Sequence, residues 1–156
     1  MDESILTNFI ELLVKNDFKL AVAESCTGGL ISSKITDIPG ISEFFDRGFV
    51  TYSNISKVKM LGVNENTIKI YGAVSRETAI EMARGVLINS SADISVAVTG
   101  IAGPSGGSRD KPVGTVFVAA ATKERIECKK FNFSGDRRSI KEQTCEAAFK
   151  MLLYII

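Results

Sequence analysis

Histidine does not occur anywhere in the 156 residues. Its absence excludes Ser-His-Asp and Cys-His catalysis and histidine-ligated zinc together. Any general base must then be a lysine, a tyrosine, an acidic side chain or a water held by one of them. Cysteine is scarce as well. Three residues, an odd number with no CxxC spacing, read as reduced thiols in a cytoplasmic protein and not as a disulfide frame. Charge of one sign is also missing: the formal net charge is +1, so the chain has no electrostatic footprint for gripping a nucleic-acid backbone. A local basic pocket for one phosphate remains compatible with that balance. No apolar run is long enough to cross a bilayer. The opening segment is interrupted by Asn8, Glu11, Lys15 and Asp17, which breaks any secretory signal pattern. The expectation is a cytoplasmic protein that engages neither nucleic acid nor membrane.

What is present is enough apolar material for a core. With 45% hydrophobic residues over 156 positions, the chain reads as a single domain spanning 1–156. Apolar residues at helical spacing predict a helix from about Ser4 to Lys15, and FKLAVA (Phe18–Ala23) suits a buried strand. Leu30–Ile35 has helical character. Phe44–Tyr52 reads as a strand with Gly48 as a candidate bulge. A short helix over Ser56–Leu61 stops near Gly62, and a clear helix runs from the N-cap candidate Ser75 to Ile88. Ile94–Val98, Thr115–Ala121 and Ile126–Phe133 are strands, the last two forming a hairpin, and Ser139–Ile156 is a closing helix. Strands interleaved with helices, plus one hairpin, indicate an α/β layered fold with a mixed sheet.

Three segments rich in glycine and small polar residues leave the carboxyl ends of predicted strands, the edge where α/β sheets bind ligands. In Glu24-Ser25-Cys26-Thr27-Gly28-Gly29, a serine between strand and helix can be presented at the sheet edge like a nucleophile elbow. The Gly28–Gly29 helix start offers N–H groups to an anion or oxyanion. Ser25 or Thr27 can equally be a simple helix cap, and Cys26 is a rival nucleophile. In Tyr52-Ser53-Asn54, with Lys57 five residues after the tyrosine, a desolvated lysine is the natural proton acceptor for a hydroxyl in a chain without histidine. Lys59 is the competing assignment, and most lysines are simply solvated. Thr99-Gly100-Ile101-Ala102-Gly103 and the glycines up to Gly107 form a loop whose amides can face an anion. It has neither the P-loop lysine nor the dinucleotide glycine spacing. Arg137, in Gly135-Asp136-Arg137-Arg138, is able to reach a phosphate; Asp136 is a cap candidate.

Together, AESCTGG (Ala23–Gly29), YSN-x-x-K (Tyr52–Lys57), GAVS (Gly72–Ser75), AVTGIAGPSGG (Ala97–Gly107), KPVGT (Lys111–Thr115) and GDR (Gly135–Arg137) span nearly the whole chain. In that order they resemble the competence/damage-inducible CinA C-terminal domain family, also called nicotinamide-mononucleotide amidohydrolase. The resemblance implies a three-layer α/β/α sandwich and hydrolysis of nicotinamide mononucleotide to nicotinic acid mononucleotide and ammonia, in pyridine-nucleotide recycling. It puts Ser25 in the nucleophile's place and Lys57 with Tyr52 in the place of the activating groups. It lines the substrate site with Glu24, Thr27, Gly28, Gly29, Asn54, Thr99, Gly100, Ala102 and Gly103, with Arg137 as a phosphate contact. It implies a small-molecule substrate and a homo-oligomer, and the apolar end of the last helix, Met151–Ile156, packs either inside the subunit or between subunits. Many relatives carry a further N-terminal domain resembling molybdopterin-binding proteins, which this sequence does not show.

The expected mechanism is attack by Ser25 on the carboxamide with Lys57 as base and Gly28–Gly29 amides holding the oxyanion. The order of Lys57 and Tyr52 in the proton path stays open. No metal and no cofactor are called for, since there is no HxH, no CxxC and no dense acidic cluster. The rival is a module that binds a nucleotide or a protein partner without turnover. A phosphotransferase fits less well, lacking a Walker lysine and an acidic pair for Mg²⁺.

Overall fold

The structure is a computed structural model that describes residues 3–156. Its centre is a five-stranded sheet in the order β2-β1-β3-β4-β5. The strands are β1 (Leu20–Glu24), β2 (Phe45–Val50), β3 (Ile94–Gly100), β4 (Thr115–Thr122) and β5 (Ile126–Asn132). β1 pairs parallel with both β2 and β3, whereas β4 is antiparallel to both β3 and β5. Four strands therefore run one way and β4 runs against them. The segments after β1, β2, β3 and β5 all emerge at one edge of the sheet, and every motif singled out above sits there.

The two faces of the sheet differ in side-chain size, and the difference sets the helix layers. Leu20, Val22, Ile94, Val96, Val98, Val116 and Val118 face α1 (Glu3–Lys15), α2 (Leu30–Thr36) and α6 (Arg137–Ile155). Phe9 and Leu13 of α1 are wholly buried there, each contributing about 1.5–3 kcal/mol of transfer free energy. The other face presents Ala21, Ala23, Ala97, Ala119 and Ala121 to α5 (Arg76–Ile88), with α3 (Asn54–Leu61) and α4 (Glu65–Tyr71) packed against α5. Alanines let α5 lie close enough for Ser95 Oγ to donate 2.9 Å to the Ala83 carbonyl. Gly85 is required where α5 crosses α3, because a Cβ there would collide with the Leu61 carbonyl oxygen. The result is a three-layer α/β/α sandwich with a mixed sheet.

Several local expectations change. The register irregularity in β2 lies beside Asp46, since Leu20 pairs with Phe45 and Ala21 with Arg47. Gly48 is not the bulge; it is where the Ser32 side chain presses on the strand. The segment Glu65–Tyr71, short and with no fully buried residue, is a helix capped by Asn64 and carried no strong periodic signal. α6 begins at Arg137, two residues before the expected start, because Asp136 caps it by accepting from Ser139 N–H at 2.8 Å. Of the apolar end of α6, Met151, Leu152 and Ile155 are buried in the chain's own core, packed with α1. No helix among the described residues is long and apolar enough to cross a membrane.

Candidate active site

Ser25 directly follows β1, the central parallel strand, and keeps its backbone in the sheet by donating N–H to Val98 O at 3.1 Å. The loop after it is held by Glu24. That side chain is fully buried, and its carboxylate accepts from Thr27 Oγ1 (2.7 Å), the N–H groups of Gly29 and Ile31 (both 3.0 Å), and Ser32 N–H and Oγ (both 2.8 Å). Five donors on one carboxylate bind the turn and the start of α2 into a rigid unit. Glu24 and Thr27 thus face inward as scaffold and do not line a cleft; burial and saturated hydrogen bonding overturn their expected place as substrate contacts. The same geometry removes the Gly28–Gly29 oxyanion donors. Gly28 N–H goes to Ser25 O, Gly29 N–H to Glu24, and Leu30 N–H to Thr27 O.

Lys57 arrives from the neighbouring strand's exit. Ser53 caps α3, its hydroxyl accepting from Ser56 N–H at 3.1 Å. One turn later Lys57 falls on the helix face that also buries Leu61. Its side chain is only 1% exposed. Nζ lies 3.0 Å from Ser25 Oγ, 2.8 Å from Thr51 O and 3.4 Å from Tyr52 O. Burial lowers the lysine's proton affinity below its ordinary value, because the ammonium has lost bulk water, and among the described residues no carboxylate pairs with it. Lys59, two residues on, is exposed on the opposite side of α3, so the competing assignment falls. Cys26 is pushed up to about 12, mainly by burial, which leaves it a thiol at neutral pH and a poor nucleophile.

The cleft over Ser25 has a volume of about 280 Å³, near the lower end for small-molecule sites. The structure brings Ser25, Lys57, Tyr52, Asn54, Thr99, Gly100, Ala102, Gly103 and Arg137 to this one cavity. Thr99 Oγ1 donates to Ala73 O at 2.8 Å, tying the end of β3 to the segment before α5. Ala73 and Val74 also line the cleft. The GAVS segment was visible as a motif, but nothing in its composition marked it as wall. Tyr52 is 60% exposed at the mouth. Its phenol oxygen accepts from Arg137 Nη2 at 2.8 Å, while Arg137 Nη1 donates to Gly103 O at 2.6 Å. Arg137 therefore bridges the β2 exit and the glycine loop across the opening. N–H groups of Ala102 and Gly103, residues that line the cleft, make no hydrogen bond among the described residues, whereas that of Cys26 meets its own thiol. Among the described residues no cluster of three metal-ligating side chains occurs.

Comparison with known proteins identifies the family and the fold. A family model described as the CinA C-terminal domain matches residues 2–156. A putative competence-damage inducible protein of Caldicellulosiruptor bescii is 57% identical over 143 residues, covering 92% of this chain and 35% of the relative. A CinA-like protein of Endomicrobium trichonymphae is 52% identical over 141 residues, covering 90% of this chain and 33% of that protein. The chain thus spans about a third of the length of these curated relatives. The crystal structure of a competence/damage inducible protein from Agrobacterium tumefaciens superposes with a TM-score of 0.96 at 42% identity, covering 98% of this chain and 94% of that one. A CinA superfamily protein from Escherichia coli gives 0.93 at 33% identity, covering 97% and 88%.

Proposed function

The chain belongs to the CinA C-terminal domain family, and on that premise we propose that it is an amidohydrolase converting nicotinamide mononucleotide to nicotinic acid mononucleotide and ammonia, with Ser25 as nucleophile and Lys57 as its base. The observation that carries this reading is the 3.0 Å contact between Lys57 Nζ and Ser25 Oγ at a buried amine. A neutral amine has two N–H donors and one lone pair. Thr51 O and Tyr52 O take the donors, and the lone pair is left to receive the serine proton.

In the forward reaction Ser25 Oγ bonds to the carboxamide carbon while its proton passes to Lys57 Nζ. The carbonyl electron pair moves onto oxygen, for which the uncommitted N–H groups of Ala102 and Gly103 are the candidate donors; one such donor is worth roughly 3–4 kcal/mol. Collapse breaks the C–N bond, Lys57 returns its proton to the nitrogen, and ammonia leaves. A water then attacks the acyl-serine with Lys57 again as base, releasing the acid and restoring the hydroxyl. Tyr52, held by Arg137 at the mouth, orients the substrate. Arg137, two of whose five N–H groups are engaged, offers the rest to the phosphate. Such an activity belongs to pyridine-nucleotide recycling.

The deciding experiment measures ammonia from pure protein and nicotinamide mononucleotide, alongside Ser25→Ala. Wild type is expected to release ammonia, and the variant to bind the nucleotide, keep its Tm and release none. Ammonia release by Ser25→Ala sinks the serine mechanism. Binding by wild type without any ammonia makes the chain a binding module instead.

A further inference from the structure

A larger concavity lies next to the Ser25 cleft and is unused by the mechanism above. It has a volume of about 630 Å³, runs between α2 and α6, and shares Arg137 with the cleft. Its walls carry four cations, Lys34, Arg137, Arg138 and Lys141, against a single carboxylate, Glu142, leaving three positive charges. Glu142 is engaged by Arg138 at 3.1 Å. Lys34 and Lys141 are each half-buried, yet neither makes an ion pair among the described residues. Holding an ammonium partly out of water without a counter-charge carries a cost that an anionic ligand would remove.

A second feature points the same way. Arg137, Arg138 and Lys141 stand in the first two turns of α6, whose first turn contains no acidic residue. Cations at that end oppose the helix dipole, which favours anions there. Asp136 at the N-cap and Glu142, paired with Arg138, offset part of this charge, and neither pairs with Lys141 among the described residues. The groove also reaches the nucleophile loop, because Lys141 Nζ lies 3.9 Å from where a Cβ on Gly28 would stand.

We propose that the α2–α6 groove is a phosphoanion site, in which Lys34 and Lys141 receive a phosphate or pyrophosphate group beside the Ser25 cleft. Such a group has two sources, the phosphate of the molecule whose amide lies over Ser25, or a separate phosphoanion that binds alongside it. Shared Arg137 makes the two cavities continuous in either case.

The test is calorimetric titration of the full chain with inorganic pyrophosphate at low and raised salt, for wild type and for the double variant Lys34→Gln/Lys141→Gln. Neither lysine contacts Ser25 or Lys57, so folding, read by Tm, stays as in wild type. Wild type is expected to bind with an affinity that falls as salt rises, and the double variant roughly tenfold more weakly. No pyrophosphate binding by wild type, or equal binding by both proteins, overturns the proposal. A further arm, which rests on the amidohydrolase reading, follows ammonia release with pyrophosphate added. Competition against nicotinamide mononucleotide assigns the groove to the substrate's own phosphate, and binding without competition assigns it to a separate anion. If no ammonia is ever released, the titration still decides the groove on its own.

Discussion

Replacing Lys57 by methionine separates the chemistry of this site from its architecture. The thioether fills much of the same volume but neither accepts the Ser25 proton nor donates to Thr51 O and Tyr52 O, the contacts now at 2.8 and 3.4 Å. Loss of a general base is expected to lower kcat by 10²- to 10⁴-fold, about 3–5.5 kcal/mol of barrier, while nucleotide binding changes little. An unpaired buried carbonyl costs about 1–3 kcal/mol, partly offset because a desolvated amine is replaced by an apolar chain. At about 2–4 °C per kcal/mol for a chain of this length, Tm should move by only a few degrees.

The pH dependence gives a second, independent readout, and its sign follows from the lysine's position. The folded-state value of Lys57 is lowered by desolvation. Between that value and the unfolded one of about 10.4, the unfolded chain holds a proton that the native state does not. Wild-type stability therefore rises with pH across that window, with a slope of at most ~1.4 kcal/mol per pH unit, and the penalty is in full force below it. kcat/KM should climb with pH over the same lowered range and then level off. Lys57→Met should lose both the stability slope and the rising limb. Ammonia assays from pH 6 to 10 and urea titrations at the same pH values check this. Turnover of Lys57→Met within threefold of wild type, with the same pH profile, refutes the assignment of the base.

Glu24→Gln keeps the shape of the scaffold but turns one acceptor oxygen into an NH₂ facing N–H donors. A loss on the order of 3 kcal/mol is expected, with faster hydrogen exchange at Gly29, Ile31 and Ser32, measured by urea denaturation and amide exchange. Gly85→Ala should destabilise by about 1–3 kcal/mol despite alanine's better helix propensity, since its Cβ meets the Leu61 carbonyl at the end of the helix that carries Lys57; a raised Tm would contradict the packing argument. Tyr52→Phe releases Arg137 from the phenol oxygen and should raise KM several-fold with less than a tenfold fall in kcat. A far larger kcat loss in steady-state assays would put the phenol on the proton path.

The order of elements, the buried strands after Phe18 and at Ile94–Val98, and the Ser75 cap were legible from periodicity and end signals, because these depend on residues adjacent in the chain. The absence of histidine by itself narrows the base to a few residue types. Several outcomes were not legible. Which lysine is buried depends on which face of α3 meets the sheet, and Lys57 and Lys59 differ only in that. Glu24 stood among the substrate contacts through the family resemblance; only the return of α2 over it showed that five inward donors consume it. The Gly28–Gly29 amides were sensible oxyanion donors by local pattern, until the turn's own hydrogen bonds claimed them. Composition alone determined that any hydroxyl nucleophile here must do without imidazole, and the spacing of small residues determined where the sheet edge would be. Tertiary packing decided the rest: it set an amine from residue 57 against a hydroxyl from residue 25, and it withdrew that amine from water, a desolvation that exists only when separate segments of chain close over the same point.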